Sequence, residues 1–232
     1  MNREITWEIR YNRVRKGDYP MEFLTVANYR LLTKQTTKLL NALTTSKDKD
    51  VIGAVKGLIE TELRTALPES QETQSIVDQV NEITDRTHAD LFLHAVKAYV
   101  IPFHAPEAED LKRLFKKEKR LQIPPLTSYD WKEVSYFSWK DSGTHRQYFV
   151  LEQDGKWQTL QGVTKTDTVK GVCRICRQHT LVNLFTATVK GKTEDAFTSY
   201  SHYICEDPAV CNTNLDNYEQ ITTFVEENRK QK

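Results

Sequence analysis

Four cysteines carry the most legible chemistry in this sequence. All lie between Cys173 and Cys211, and the 172 residues before them contain none. Cys173-Arg-Ile-Cys176 is a CxxC knuckle, whose tight turn can aim two thiolates at one point. After 28 intervening residues comes Cys205-Glu-Asp-Pro-Ala-Val-Cys211. Zinc takes four soft ligands in a tetrahedron, and two cysteine pairs from separate parts of the chain supply them. The intervening segment is long enough for a hairpin that lays the second pair beside the first. A knuckle, a hairpin and a second pair leading into a helix is the plan of a treble clef, although CxxxxxC is wide for that plan. The competing readings are a redox CxxC, two disulfides, or inert buried thiols. A redox pair needs no second pair and follows a strand in a βαβ setting, which the pattern lacks. Disulfides are disfavoured in a reducing cytoplasm. His179 and His202 lie close enough to replace a cysteine, but surface imidazoles are their plainer role. With all four positions filled by protein, the site leaves no place for substrate and is structural.

These ligands need a β-rich scaffold, and the pattern provides one. From about Trp131 the hydrophobic period becomes two. Tyr148, Val150 and Glu152 alternate with Phe149 and Leu151, and Asp154-Gly155 signals a hairpin returning through Trp157, Thr159 and Leu160. Further strands are expected at 169–172, 181–189 and 196–204. A last helix is expected over about 217–228, capped by Asp216, with Tyr218, Ile221, Phe224 and Val225 apolar.

The first half reads differently. Leu24, Ala27, Leu31, Leu39, Leu40 and Leu43 form a helical stripe after Pro20, broken by TTSKDKD at 44–50. Ile52, Val55, Ile59 and Leu63 form a second helix that stops before Pro68. Ser70 caps a third, with Ile76, Val80 and Ile83 aligned. Thr87, with Asp90 three residues on, is read as the cap of a fourth carrying Leu91, Ala95 and Tyr99 and ending before Pro102. One stripe per helix and short links predict an antiparallel bundle. Ahead of it, Ile5, Trp7, Ile9 and Tyr11 alternate with polar residues, as in a short strand or a loose arm. The segment 102–110 reads as a linker opening a helix with Leu111, Leu114 and Phe115.

Composition sets the outer bounds. At about 150 residues per domain, 232 residues predict one or two domains. Thirty-three Lys and Arg against 32 Asp and Glu leave a formal charge of +1, which excludes a histone-like basic coat. Nine Phe, ten Tyr and four Trp exclude a wholly disordered chain. Apolar runs such as 98–103 fall far short of the ~20 residues of a membrane span, and the charged N-terminus lacks the core of a signal peptide, so a cytoplasmic location is expected. No GxxxxGK[ST], GxGxxG or HExxH string occurs. Six of the nine residues from Lys112 to Arg120 are basic. This run is either a solvated face or a contact for RNA phosphates or an acidic protein surface. Tyr200, Tyr203 and Phe224 surround the second cysteine pair and last helix, as core residues or as interface anchors.

The segments VKGVCRIC at 169–176, LVNLF at 181–185 and HYICEDPAVCN at 202–212 resemble the FusB-type fusidic-acid-resistance proteins, also called elongation-factor-G-binding proteins. YVIPF at 99–103, DLKRLFKKEKRLQIP at 110–124 and WK at 139–140 fit the same family in the same order. The resemblance runs from about Met21 to Glu227, and residues 1–20 are extra to it. It implies a helical N-terminal domain and a C-terminal α/β domain with a four-cysteine zinc finger. It implies binding to elongation factor G mainly through the C-terminal domain, and release of that factor when fusidic acid traps it on the ribosome, without modification of the drug. Tyr203 and Phe224 match partner-binding positions of the family. Val172 stands where the family has phenylalanine, and Tyr200 where it has lysine.

The resulting expectation is an α+β protein: an antiparallel helical bundle at 1–104, then a β-rich α/β domain at 105–232 with a treble-clef-like zinc finger. One structural zinc is held by Cys173, Cys176, Cys205 and Cys211. The protein is a non-enzymatic, monomeric partner of elongation factor G, with Tyr203 and Phe224 at the contact and the ribosome as a further partner. No small-molecule substrate or membrane is expected. The alternative is a zinc-finger module that binds RNA or the ribosome.

Overall fold

The computed structural model describes residues 21–190 and 196–229. The alternating segment expected at Ile5 to Tyr11 lies outside them. The described residues divide into two compact units, one of residues 21–24 and 32–101 and the other of 25–31, 102–190 and 196–229.

Four helices come first: α1 (Val26–Thr45), α2 (Lys49–Ala66), α3 (Gln71–Glu82) and α4 (Arg86–Val96). Each start has a physical cause. The Asp48 carboxylate accepts from the Asp50 N–H, and the Ser70 hydroxyl accepts from the Thr73 N–H. The cap of α4 is Asp85, not Thr87 as the sequence suggests; its carboxylate accepts from the His88 N–H, which lowers its pKa. Both residues are good caps, but Asp85 has the extended backbone that a cap requires. α2 ends where Leu67 turns extended before Pro68. Within the first unit, Ile59 and Leu63 of α2, Ile76 and Val80 of α3 and Phe92 and Val96 of α4 are buried. The entering and leaving chains meet in a parallel bridge of Leu24 with Val100.

The second unit holds α5 (Ala108–Leu114), then β1 (Phe137–Asp141), β2 (Arg146–Gln153), β3 (Lys156–Val172), β4 (His179–Lys190) and β5 (Phe197–Cys205), then α6 (Pro208–Asn214) and α7 (Glu219–Glu227). The strands form one antiparallel meander, β1-β2-β3-β4-β5. The turn from β2 to β3 places Asp154 and Gly155 at positive φ, as a two-residue hairpin of the right twist requires. β2 is buried on both faces. Tyr148 and Val150 join Phe115, Phe137 and Trp139 in one cluster, while Phe149 and Leu151 join Phe185, Ile221 and Phe224 in another.

β3 changes partner along its length. Residues 156–163 pair with β2, residues 163–172 pair with β4, and the register slips between Thr164 and Thr168. Gly162, just before the slip, is packed closely against β4: a Cβ there would lie 2.4 Å from the Thr186 carbonyl and 2.6 Å from the Phe185 ring. The sheet curls enough for the Lys140 ammonium on β1 to donate to Asn183 Oδ1 on β4 at 3.0 Å, across the intervening β2 and β3.

Two helix expectations change. The basic run does not continue as a helix, because α5 stops at Leu114 and the Phe115 ring enters the aromatic cluster edge-on to Trp139 and Tyr148. The last helix starts at Glu219, where the Asn217 side chain, not Asp216, accepts from its N–H at 2.8 Å.

Candidate metal centre

Three elements deliver the four cysteines. Cys173 follows the end of β3, and a turn carries the chain to Cys176. Arg177, at φ 59°, turns it back, and the Cys173 N–H donates to the Gln178 carbonyl at 3.0 Å. Cys205 is the last residue of β5, and its N–H donates to Cys173 Sγ at 3.3 Å. Cys211 lies on α6, which sequence reasoning missed. The wide CxxxxxC is thereby explained: Asp207 caps α6, Pro208 opens it, and the extra residues are its first turn.

The sulfurs converge. Cys173 Sγ lies 3.8 Å from Cys211 Sγ, and Cys176 Sγ lies 3.5 Å from Cys205 Sγ. All four lie within 4.8 Å of one another, and all four residues are buried. Thiolates at about 2.3 Å from a tetrahedral zinc stand about 3.8 Å apart, so the box is the right size. His179 and His202 are not part of it; the His202 ring packs 5.7 Å from Phe224 instead.

The electrostatics also call for a cation. Hydrogen bonds from Cys176, Cys205 and Cys211 pull the Cys173 thiol far below its ordinary pKa. The Cys205 and Cys211 thiols are pushed far up, first by their bonding to Cys173. The Cys176 thiol is lowered like that of Cys173, so the protein alone favours the thiolate at Cys173 and Cys176 and resists it at Cys205 and Cys211. A divalent cation neutralises the set, and the residues fit structural zinc. It would be held by Cys173, Cys176, Cys205 and Cys211, and it supplies folding energy rather than reactivity.

A second layer fixes α6. Asn212, beside Cys211, uses its whole amide. Its Oδ1 accepts from the Ser135 and Tyr136 N–H groups at 2.7 and 3.3 Å, and its Nδ2 donates to the Tyr136 and Pro208 carbonyls at 3.1 and 3.2 Å. The Tyr136 hydroxyl is hydrogen-bonded to Cys211, and burial together with that sulfur holds it protonated. The sequence carried no signal for either residue, because 135–139 reads as an aromatic run. Tyr136→Phe should keep the fold but remove a bond to a charged acceptor worth about 1.5–3 kcal/mol. The expected result is faster alkylation of the zinc-bound thiolates and a shifted sulfur-to-metal absorption band in cobalt-loaded protein. An unchanged alkylation rate would show that the hydroxyl does not act on the sulfur.

The two expected partner residues lie in opposite environments. Tyr203 on β5 is 49% exposed, while its carbonyl accepts from the Arg174 N–H of the knuckle at 2.8 Å. Its cross-strand partner is Leu184, and Thr186 and Ser201 beyond them share a hydroxyl contact of 2.8 Å. Phe224 is 1% exposed and sits among Phe149, Phe185 and His202. It therefore shapes the interior beneath the metal centre and does not present a surface contact, because its position on α7 points into the sheet. Val172 and Leu181, near the knuckle, are exposed.

Comparison with known proteins bears on most of the chain. A family model described as elongation factor G-binding protein, N-terminal, matches residues 23–104. A second, described as FBP C-terminal treble-clef zinc-finger, matches residues 111–231. No curated protein sequence matches the chain. The fold is similar to the solved structure of the fusidic acid resistance protein FusC, with a TM-score of 0.77 and 26% identity over 90% of this chain and 98% of that one.

Proposed function

Because this chain belongs to the elongation factor G-binding protein family, we propose that it binds elongation factor G, promotes release of the factor from the ribosome and so protects translation from fusidic acid. The carrying observation is that both halves of the chain match models of that family, at 23–104 and 111–231. The likeness to the fusidic acid resistance protein FusC supports the link to the drug.

The contact surface is the β4–β5 face around Tyr203. The exposed phenol, Leu184 beside it and Val169 on β3 follow the same side of the sheet by register. That strand is tied by backbone to the cysteine knuckle, so the metal holds the surface rigid and a partner meets it with little ordering cost. Binding, not catalysis, is the activity, and the protein works as a cytoplasmic monomer. Among the described residues no helix is long and apolar enough to cross a membrane.

Release needs differential affinity: a ligand that binds both states of the factor equally shifts nothing. The protein therefore prefers a form of elongation factor G that the ribosome does not hold. The test is to pellet ribosomes stalled with elongation factor G and fusidic acid, with and without this protein. The expected result is factor in the supernatant only when the protein is added. Factor that stays in the pellet contradicts release.

A further inference from the structure

The basic run at 112–120 has no role in the metal centre or the Tyr203 face. Its charges are not equivalent. Lys112 pairs with Glu109 at 2.7 Å and Arg113 pairs with Asp110, so the helix neutralises its own two cations. Lys116 and Lys117 follow the end of α5 and are exposed. They line a groove of about 360 Å³ together with Lys190 at the end of β4 and Arg229 after α7. Three distant parts of the sequence thus bring four cations to one concavity in a protein whose net charge is only +1. Among the described residues none of the four forms an ion pair, and no carboxylate lines the groove. The nearby Glu118 is engaged by Arg146 and by Gln161 Nε2.

The neutral lining is equally informative. Asn228 is fully buried, its Nδ2 donates to the Phe224 carbonyl at 2.8 Å, and its Oδ1 has no partner. Asn228 is therefore part of the wall and not of the binding surface, and the groove suits a ligand of repeated negative charge. Lys, Arg, Asn, Gln and Thr are the side chains that contact phosphates and sugars. No exposed aromatic ring lines the groove, so nothing there reads or stacks a base.

We propose that this groove binds the phosphate backbone of single-stranded nucleic acid without sequence preference, with Lys116, Lys117, Lys190 and Arg229 on phosphates. The site is separate from the Tyr203 face and does not depend on the protein partner.

The test is fluorescence anisotropy of the full, zinc-loaded chain with a short labelled single-stranded RNA and with DNA of the same sequence. The expected result is binding at about 50 mM salt, with the logarithm of affinity falling against that of salt with a slope of about −3, as four phosphate contacts imply. RNA and DNA should bind with similar affinity. The double charge reversal Lys116→Glu and Lys117→Glu, at exposed positions, should weaken binding at least ~30-fold and flatten the slope by about 1–2. Lack of binding at low salt, affinity unchanged by the charge reversal, or equal competition by an oligoglutamate peptide would each overturn the assignment.

Discussion

Cys211→Ser is expected to strip the second unit of its metal and of its fold while leaving the helical unit in place. Serine keeps the size of the side chain but not the thiolate, and its hydroxyl stays protonated near neutral pH. Cys173, Cys176 and Cys205 would then remain buried at 0–2% exposure with an incomplete tetrahedron. Structural zinc of this kind contributes about 10 kcal/mol or more to folding. A domain's whole stability is about 5–15 kcal/mol, so losing the metal removes most of it. The first unit has its own core, in which Leu39, Ile59, Ile76 and Phe92 are buried and no cysteine takes part. Zinc per chain should fall well below one in the variant. Trp131, Trp139 and Trp157 all belong to the second unit, so emission should shift to the red while helical circular dichroism persists. A variant that keeps full zinc and native emission would remove Cys211 from the ligand set.

Phe224→Ala is the second large effect, and it separates packing from contact. The ring lies 5.9 Å from Phe149, 6.0 Å from Phe185 and 5.7 Å from His202. Truncating a buried phenylalanine costs about 3–5 kcal/mol, because the cavity adds to the lost transfer energy. For a unit of this size the melting midpoint should fall by about 10–20 °C. Partner binding should weaken only as the fold weakens. Tyr203→Ala, on the exposed face, should change stability by no more than about 0.5 kcal/mol. If Tyr203 is an anchor of the contact, the same truncation should weaken binding by about 2 kcal/mol, or roughly 30-fold. A Phe224→Ala protein that melts normally but fails to bind would place Phe224 at the contact after all.

Those two residues mark how far sequence reading reaches here. Spacing alone placed four cysteines together and the change from helical to strand periodicity. It also placed the Asp154-Gly155 turn, because a type I′ hairpin demands those residue types at that offset. What escaped is whatever depends on contacts distant in sequence. Phe224 fits an amphipathic helix whether its ring faces a partner or the core, and only the aromatic neighbours on β2 and β4 decide. Asn212 and Tyr136 are 76 residues apart, so no local pattern announces their bonds. α6 is a single short segment around Cys211, too brief for periodicity to register. The basic run looked like one continuous helix face, but Phe115 is drawn into an aromatic cluster that the helix period does not encode. The groove completed by Lys190 and Arg229 is legible only once β4 and α7 are folded.

The central claim is a direct complex with elongation factor G, and calorimetric titration of the factor into the zinc-loaded protein tests it without ribosome or drug. The account predicts saturable binding by the wild type. It also predicts roughly 30-fold weaker binding by Tyr203→Ala, with zinc content and melting midpoint unchanged. No binding by a wild-type chain that is folded and carries its zinc would contradict it.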